Sequence, residues 1–360
     1  MINVTKPFLP PKEDYQNQIN QIWERQWLTN DGPVVNALER GLKDYLKIEH
    51  ALFVSNGTIA LQIAIKALEL TGEIITTPFS FVATTSSIVW ENCTPVMVDI
   101  LPGSLTIDPT KIEAAITPRT SAILATHVYG NACEIEEIEK IAKKHNLKII
   151  YDAAHAFGTK YKGKSLYAYG DVSTASFHAT KLFHTIEGGA VFTNNPDTLK
   201  SMSMMRNFGY QNGTSFGCVG INGKNSEFHA AMGVCNLLHI ESILEKRKSQ
   251  SERYTQILKS LPLQFIQITE GCEFNYAYYP VIFQSEAQLL KTVAALNEAS
   301  IFPRRYFYPC LSTLPYITSQ NNTPVSMDIS SRVLCLPLFH TLTETEIVFI
   351  CDIISKSLQS

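Results

Sequence analysis

Lys181 is the residue whose surroundings ask for a chemical explanation. It stands in SFHATKLFHTIEGGAV, residues 176–191, close to Phe177, Leu182 and Phe183. A lysine partly stripped of water can keep its amine neutral and attack a carbonyl. The same side chain could instead lie along apolar surface with its head in water. Upstream, Asp152 closes the apolar run LKIIYD. Open α/β sheets place ligand contacts at the carboxyl ends of their strands, although an aspartate there can also serve as a turn or cap residue. Pyridoxal phosphate requires an amine to hold its aldehyde. It also requires an anion against its pyridinium nitrogen, so that the ring can draw in electrons. Lys181 and Asp152 could supply the two.

Other residues admit a role beside that pair. Asn56, Gly57 and Thr58 in SNGTIALQIAI fall between a strand and an amphipathic helix. The first amides of such a helix, with the Thr58 hydroxyl, form an anion seat or a plain cap. No Gly-Lys-Ser/Thr follows, so the segment is not a Walker loop. Phe81, in TTPFSFVATTSS, could stack on a flat ring or pack in a core. His155, in DAAHAFG, could bond a ligand hydroxyl or be a satisfied core histidine. GINGKNSEFHAAMG, residues 220–233, reads as a Gly/Asn turn opening a helix.

Elements that could position these residues alternate from about residue 50. Strands are expected at 51–55, 73–77, 95–100, 121–128 and 147–153, with helices at 57–68, 81–91 and 134–146. STASFHA and GGAVFTN extend the strand set to about residue 195. Short apolar strands between helices predict an α/β domain with a mostly parallel, buried sheet. The stretch 225–262 reads as helical and leads out of it. Strands at 278–283 and 332–338 with helices at 286–299 and 343–357 predict a smaller α+β unit. The expected division is 1–235, an N-terminal arm and large domain, and 236–360, a small C-terminal domain.

Composition narrows the function classes. The chain has 360 residues, is 45% hydrophobic and 18% charged, and carries a net charge of -3, so no basic field points to nucleic acid. Eight scattered cysteines make no close metal-type pair and read as reduced thiols of a cytoplasmic protein. The N-terminus lacks a signal-peptide core, and no apolar run is long enough to span a membrane.

Over nearly its whole length the sequence resembles the DegT/StrS family of sugar aminotransferases, which are fold type I pyridoxal-phosphate enzymes with an aspartate aminotransferase-like fold. The resemblance is carried by NGTIAL, TTPFSFVATTSSI, THVYGN, YDAAHAFG, SFHATK, EGGAV, GINGKNSEFHAAMG and YFYPCL. It implies that pyridoxal 5'-phosphate is held as a Schiff base on Lys181, with Asp152 at the ring nitrogen. It further implies His155 at the ring hydroxyl and Phe81 on the ring face. Gly57, Thr58, Ile59 (by its backbone) and Ser176 fall at the phosphate. Asn222 matches a residue that reaches the neighbouring subunit's cofactor, so the resemblance also implies a homodimer with sites at the subunit interface. Gly223-Lys224 departs from the aromatic-Arg pair of many members.

Within the family, SFHATKLFHTIEGG, THVYGNAC and INGKNSEFHAAMG are most similar to the branch that aminates dTDP-4-keto-6-deoxyglucose at C4. L-Glutamate is the expected donor and a surface polysaccharide such as an O antigen the expected destination. By segment position His184, Tyr308 and His340 become candidate sugar or diphosphate contacts, or ordinary structural residues. Amination at C3, a UDP-linked sugar, and a non-catalytic cofactor-binding regulator stay open. A dinucleotide-binding dehydrogenase does not fit, because no G-x-G-x-x-G follows the first strand.

Overall fold

The computed structural model describes residues 1–317 and 322–359. Among these, seven strands build the central sheet: β1 (His50–Val54), β2 (Glu73–Thr76), β3 (Thr94–Met97), β4 (Thr120–Thr126), β5 (Lys148–Asp152), β6 (Val172–Ser176) and β7 (Gly189–Thr193). Their order is β1-β7-β6-β5-β4-β2-β3. β7 runs antiparallel to β1 and β6, and every other pairing is parallel. The sheet is apolar on both faces, so its strands show no polar alternation. Leu52, Val54, Ile74, Leu124, Ile150 and Val191 pack on one side, and Phe53, Ile75, Ile123, Ala125, Tyr151 and Phe192 on the other. Each such large side chain stabilises the fold by roughly 1.5–3 kcal/mol relative to exposure in water.

Two helices precede the sheet: α1 (Lys12–Arg25) and α2 (Pro33–Leu46). α3 (Gly57–Ala67) turns Ala60, Leu61, Ala64 and Ile65 onto the sheet. α4 (Val82–Trp90) and α5 (Ile135–His145) follow, the latter with Glu136 and Glu137 in its first turn and Lys143, Lys144 and His145 in its last, as the macrodipole favours. Next come α6 (Pro196–Arg206), α7 (Glu227–Leu237) and α8 (Ile240–Leu258). α2 carries an apolar stripe of Val34, Val35, Leu38, Leu42 and Leu46, but its start has no side-chain cap of its own. The buried Glu227 carboxylate of α7 instead accepts the Val34 and Val35 N–H groups at 2.9 and 2.8 Å. Gly32 leaves room for it, since a Cβ there would lie 2.6 Å from the Glu227 carboxyl carbon.

The smaller unit is a three-stranded antiparallel sheet, β8 (Gln264–Phe265), β9 (Tyr279–Ile282) and β10 (Val333–Leu336), with β9 in the middle. α9 (Glu286–Glu298), α10 (Pro324–Arg332) and α11 (Glu344–Gln359) accompany it. α8 serves both units: Ile240 and Ile243 lie in the sheet core, Tyr254 and Leu258 in the core of the smaller unit. Asp99, just past β3, joins the units by accepting the Val325 and Ser326 N–H groups at the start of α10 at 3.0 and 2.8 Å. No helix among the described residues is long and apolar enough to cross a membrane.

Candidate active site

The carboxyl ends of the parallel strands open into a cavity of about 380 Å³, lined among others by Gly57, Thr58, Phe81, Asp152, Ser176 and Lys181. Asp152 is buried at the last position of β5. One of its oxygens accepts the Thr84 hydroxyl at 2.6 Å and the other the Ala154 N–H at 3.1 Å. Behind Thr84 the hydroxyls continue, Thr84 to Ser80 at 2.7 Å and Ser80 to Thr126 at 3.0 Å. Burial pushes the Asp152 carboxyl up, against the bonds from Thr84 and Ala154 and the attraction of Lys181. A cation brought against this carboxylate relieves that cost.

Lys181 follows β6 in a braced turn. Its N–H donates to the His178 carbonyl at 2.9 Å, and the Thr180 N–H donates to the His178 ring at 3.2 Å. The Lys181 amine lies 3.4 Å from the Tyr278 hydroxyl. Burial brings its pKa down to about 8; Asp152 opposes the shift and Arg304 adds to it. A sizeable neutral fraction near neutral pH is what a carbonyl-capturing amine needs. The His155 ring is held well below the ordinary histidine range by burial and by Lys181. Its Nδ1 accepts the Tyr129 N–H at 3.2 Å, which assigns the proton to Nε2. Asn275 grips the same segment, donating to the carbonyls of His155 and Phe157 at 2.7 and 2.9 Å.

The anion seat forms at the start of α3. Asn56 caps the helix by accepting the Ile59 N–H at 2.9 Å. The amide of Ile59 is therefore engaged, and those of Gly57 and Thr58 are left without an acceptor among the described residues. Ser176 closes in from β6, so near that a Cβ on Gly57 would lie 2.9 Å from its Cβ. Gly189 permits the same close approach from β7, since a Cβ there would lie 2.6 Å from the Asn56 carbonyl oxygen. Phe81, in the cavity lining, is 48% exposed and so offers apolar surface to a flat ligand. A phosphate on the Gly57, Thr58 and Ser176 groups, an aldehyde at Lys181 and a ring nitrogen at Asp152 account for this donor set, so the residues fit pyridoxal phosphate.

Five expected site residues lie outside the cavity: Ile59, whose amide is already engaged by Asn56, and His184, Tyr308, His340 and Asn222. His184 is buried and bonds the Phe8 carbonyl at 2.7 Å, while its other nitrogen accepts the Ile186 N–H. It pins the N-terminal arm, because a buried imidazole must find partners where it sits. Tyr308 is half-exposed, with the Arg305 guanidinium 3.5 Å over its ring. His340 meets the edge of the Phe8 ring at 5.0 Å. Asn222 is exposed and accepts the Lys224 ammonium at 2.9 Å. The fold brings in Tyr278, Thr84, Ser80 and Arg304 instead. Ser80 and Thr84 fall within TTPFSFVATTSSI, and Arg304 stands two residues before YFYPCL, but no sequence signal pointed to Tyr278.

Residues 11–355 match the DegT/DnrJ/EryC1/StrS aminotransferase family. The dTDP-4-amino-4,6-dideoxy-D-glucose transaminase of Shigella dysenteriae is 42% identical, with 99% of this chain and 98% of its own covered. The transaminase of the same name from Escherichia coli is 39% identical, with 98% of each chain covered. The crystal structure of DesI in the presence of its TDP-sugar product matches with a TM-score of 0.94 at 30% identity, covering 99% of this chain and 93% of that one.

Proposed function

The chain belongs to the DegT/DnrJ/EryC1/StrS aminotransferase family, and from that premise we propose that it transfers an amino group from L-glutamate to C4 of dTDP-4-keto-6-deoxy-D-glucose. The product is dTDP-4-amino-4,6-dideoxy-D-glucose, a precursor for an O antigen or similar surface polysaccharide made in the cytoplasm. The family implies pyridoxal phosphate, which we place on Lys181. The observation that carries the reading is the meeting of Lys181, Asp152 and the Gly57–Thr58–Ser176 seat in one cavity.

When bound, pyridoxal phosphate supplies an electron sink that lets hydrogen leave the donor's Cα as a proton. The chain's own residues do the rest. With the cofactor bound, the Lys181 amine would take the proton from the donor's Cα on Nζ and would deliver a proton to C4 of the sugar on the acceptor side. Asp152 keeps the ring nitrogen protonated, with its own position fixed by Thr84 and the Ala154 amide. The His155 Nε2–H orients the ring oxygen. The Gly57 and Thr58 amides and the two hydroxyls bind the phosphate at the positive end of α3. Phe81 covers the ring face and excludes water. Asn222, turned to the surface in its own chain, reaches the cofactor of a second copy in the proposed homodimer.

The test incubates holoenzyme and glutamate with dTDP-, UDP- and GDP-linked ketosugars and reads products by mass spectrometry and NMR. The expected result is one amine at C4 of the dTDP sugar for each 2-oxoglutarate released. Amination at C3, or turnover confined to another nucleotide, replaces this substrate. Cofactor binding with no spectral change on glutamate identifies a non-catalytic protein.

A further inference from the structure

Arg304 lines the same cavity as Lys181 and Asp152. Its backbone is fixed to β10 in both directions: Arg304 N–H donates to the Cys335 carbonyl at 3.1 Å, and Cys335 N–H to the Arg304 carbonyl at 2.8 Å. The guanidinium rests over the Tyr306 ring, 4.5 Å from its centre. Its neighbour Arg305 is already engaged, with Glu286 and the Ser331 carbonyl each at 2.6 Å. Arg304 has no acidic partner among the described residues.

The charges around the cavity make that solitary cation informative. Its lining carries two carboxylates, Asp152 and Glu187. Glu187 lies 3.5 Å from the His178 ring, and Asp152 is reserved for a ring nitrogen. Lys181 must be neutral to act. Arg304 is then the positive charge left to meet an anion of the substrate.

We infer that Arg304 receives the α-carboxylate of the amino donor, an inference that rests on the transaminase reading above. A donor's α-carboxylate is bonded to the very carbon that gives its proton to Lys181, so it must lie beside that amine. Arg304 is near enough to lower the proton affinity of Lys181. The diphosphate of a sugar nucleotide is held away from the reacting C4 by the breadth of the hexose. A cavity of about 380 Å³ is at the small end of ligand pockets. Once it holds a cofactor, it admits the head of a substrate and leaves a nucleotide outside. The planar fork of a guanidinium also matches a carboxylate through two parallel bonds. Donor and ketosugar then use one position in turn, with Arg304 selecting carboxylate-bearing amines in the first half-reaction.

The experiment compares wild-type holoenzyme with Arg304→Gln and Arg304→Lys, following each half-reaction by the visible band of the bound cofactor. In Arg304→Gln the glutamate concentration for half-maximal bleaching should rise on the order of ten- to hundredfold, as for loss of a charge-assisted pair. The corresponding ketosugar concentration, measured from the aminated form, should move less than about threefold, because that substrate presents no anion at this position. Arg304→Lys should recover part of the loss. By calorimetry, glutarate should bind wild-type holoenzyme and not Arg304→Gln, a readout independent of turnover. A normal visible band and melting temperature show that each variant is folded. Should Arg304→Gln lose the band, Arg304→Lys carries the comparison. Equal losses in both half-reactions, or a loss confined to the ketosugar, overturn the inference. So does a glutamate response unchanged by either substitution. A wild-type holoenzyme that glutamate does not bleach overturns the proposed function together with it.

Discussion

Lys181 shows how a single side chain acquires its chemistry from its place. The chain neighbours Phe177, Leu182 and Phe183 are buried in the core, the amine lies 3.4 Å from the Tyr278 hydroxyl, and burial brings its pKa to about 8. Because that value is depressed, the neutral amine is gained as pH rises through about 8, well below the range where a solvated lysine deprotonates. The rate at which apoprotein captures pyridoxal phosphate, read from the growth of the visible band, should therefore climb between pH 7 and 9 and level off. A rise continuing toward pH 10.5 would mean a solvated amine. Asp152 attracts the ammonium and so opposes the depression; Asp152→Asn should move the midpoint to lower pH. The residue type and apolar neighbours of Lys181 were legible in the sequence. The roles of Tyr278 and Arg304 were not, because each reaches Lys181 from more than ninety residues away in the chain.

At the scale of elements, the phosphate seat depends on how closely α3 approaches β6. Asn56 sets where the helix starts and Gly57 lets it come near Ser176. In Gly57→Ala the new Cβ would meet the Ser176 Cβ at 2.9 Å and its Cα at 3.3 Å, and the latter is backbone that cannot step aside. Titration of apoprotein with pyridoxal phosphate should show affinity reduced by about tenfold or more, since helix-start amides displaced by a fraction of an ångström lose their aim. Unchanged affinity would mean that the phosphate lies elsewhere. The alternation of strands and helices from residue 50 was readable because each element carries its own period. The start of α2 was not, because its cap is Glu227. α10 likewise draws its cap from Asp99, on the other side of the molecule's two cores.

The whole molecule leaves large apolar side chains in water. Trp23, Trp90, Phe216, Val219 and Leu238 are each at least 63% exposed. A second copy is the proposed cover, and it is what would give Asn222 a cofactor to touch. Light scattering at micromolar concentration should therefore report twice the 40.2 kDa chain mass. Asn222→Ala should weaken cofactor binding while leaving that mass unchanged. A monomeric holoprotein, or an Asn222→Ala variant with undiminished affinity, would remove the shared site.

The sequence by itself determined the chemistry that a few residue types permit: an amine at Lys181, a carboxylate at Asp152, a helix start at Asn56-Gly57-Thr58, and the strand and helix periods that bring their ends to one edge. Those signals are local, written in neighbours and spacing. Only the tertiary structure decided which candidates meet. It drew Arg304 and Tyr278 to Lys181 and lined Thr84, Ser80 and Thr126 behind Asp152. It turned His184 inward to hold Phe8. The reason is physical: a buried polar group takes whatever partner the packed chain delivers, and that partner need not be near it in sequence.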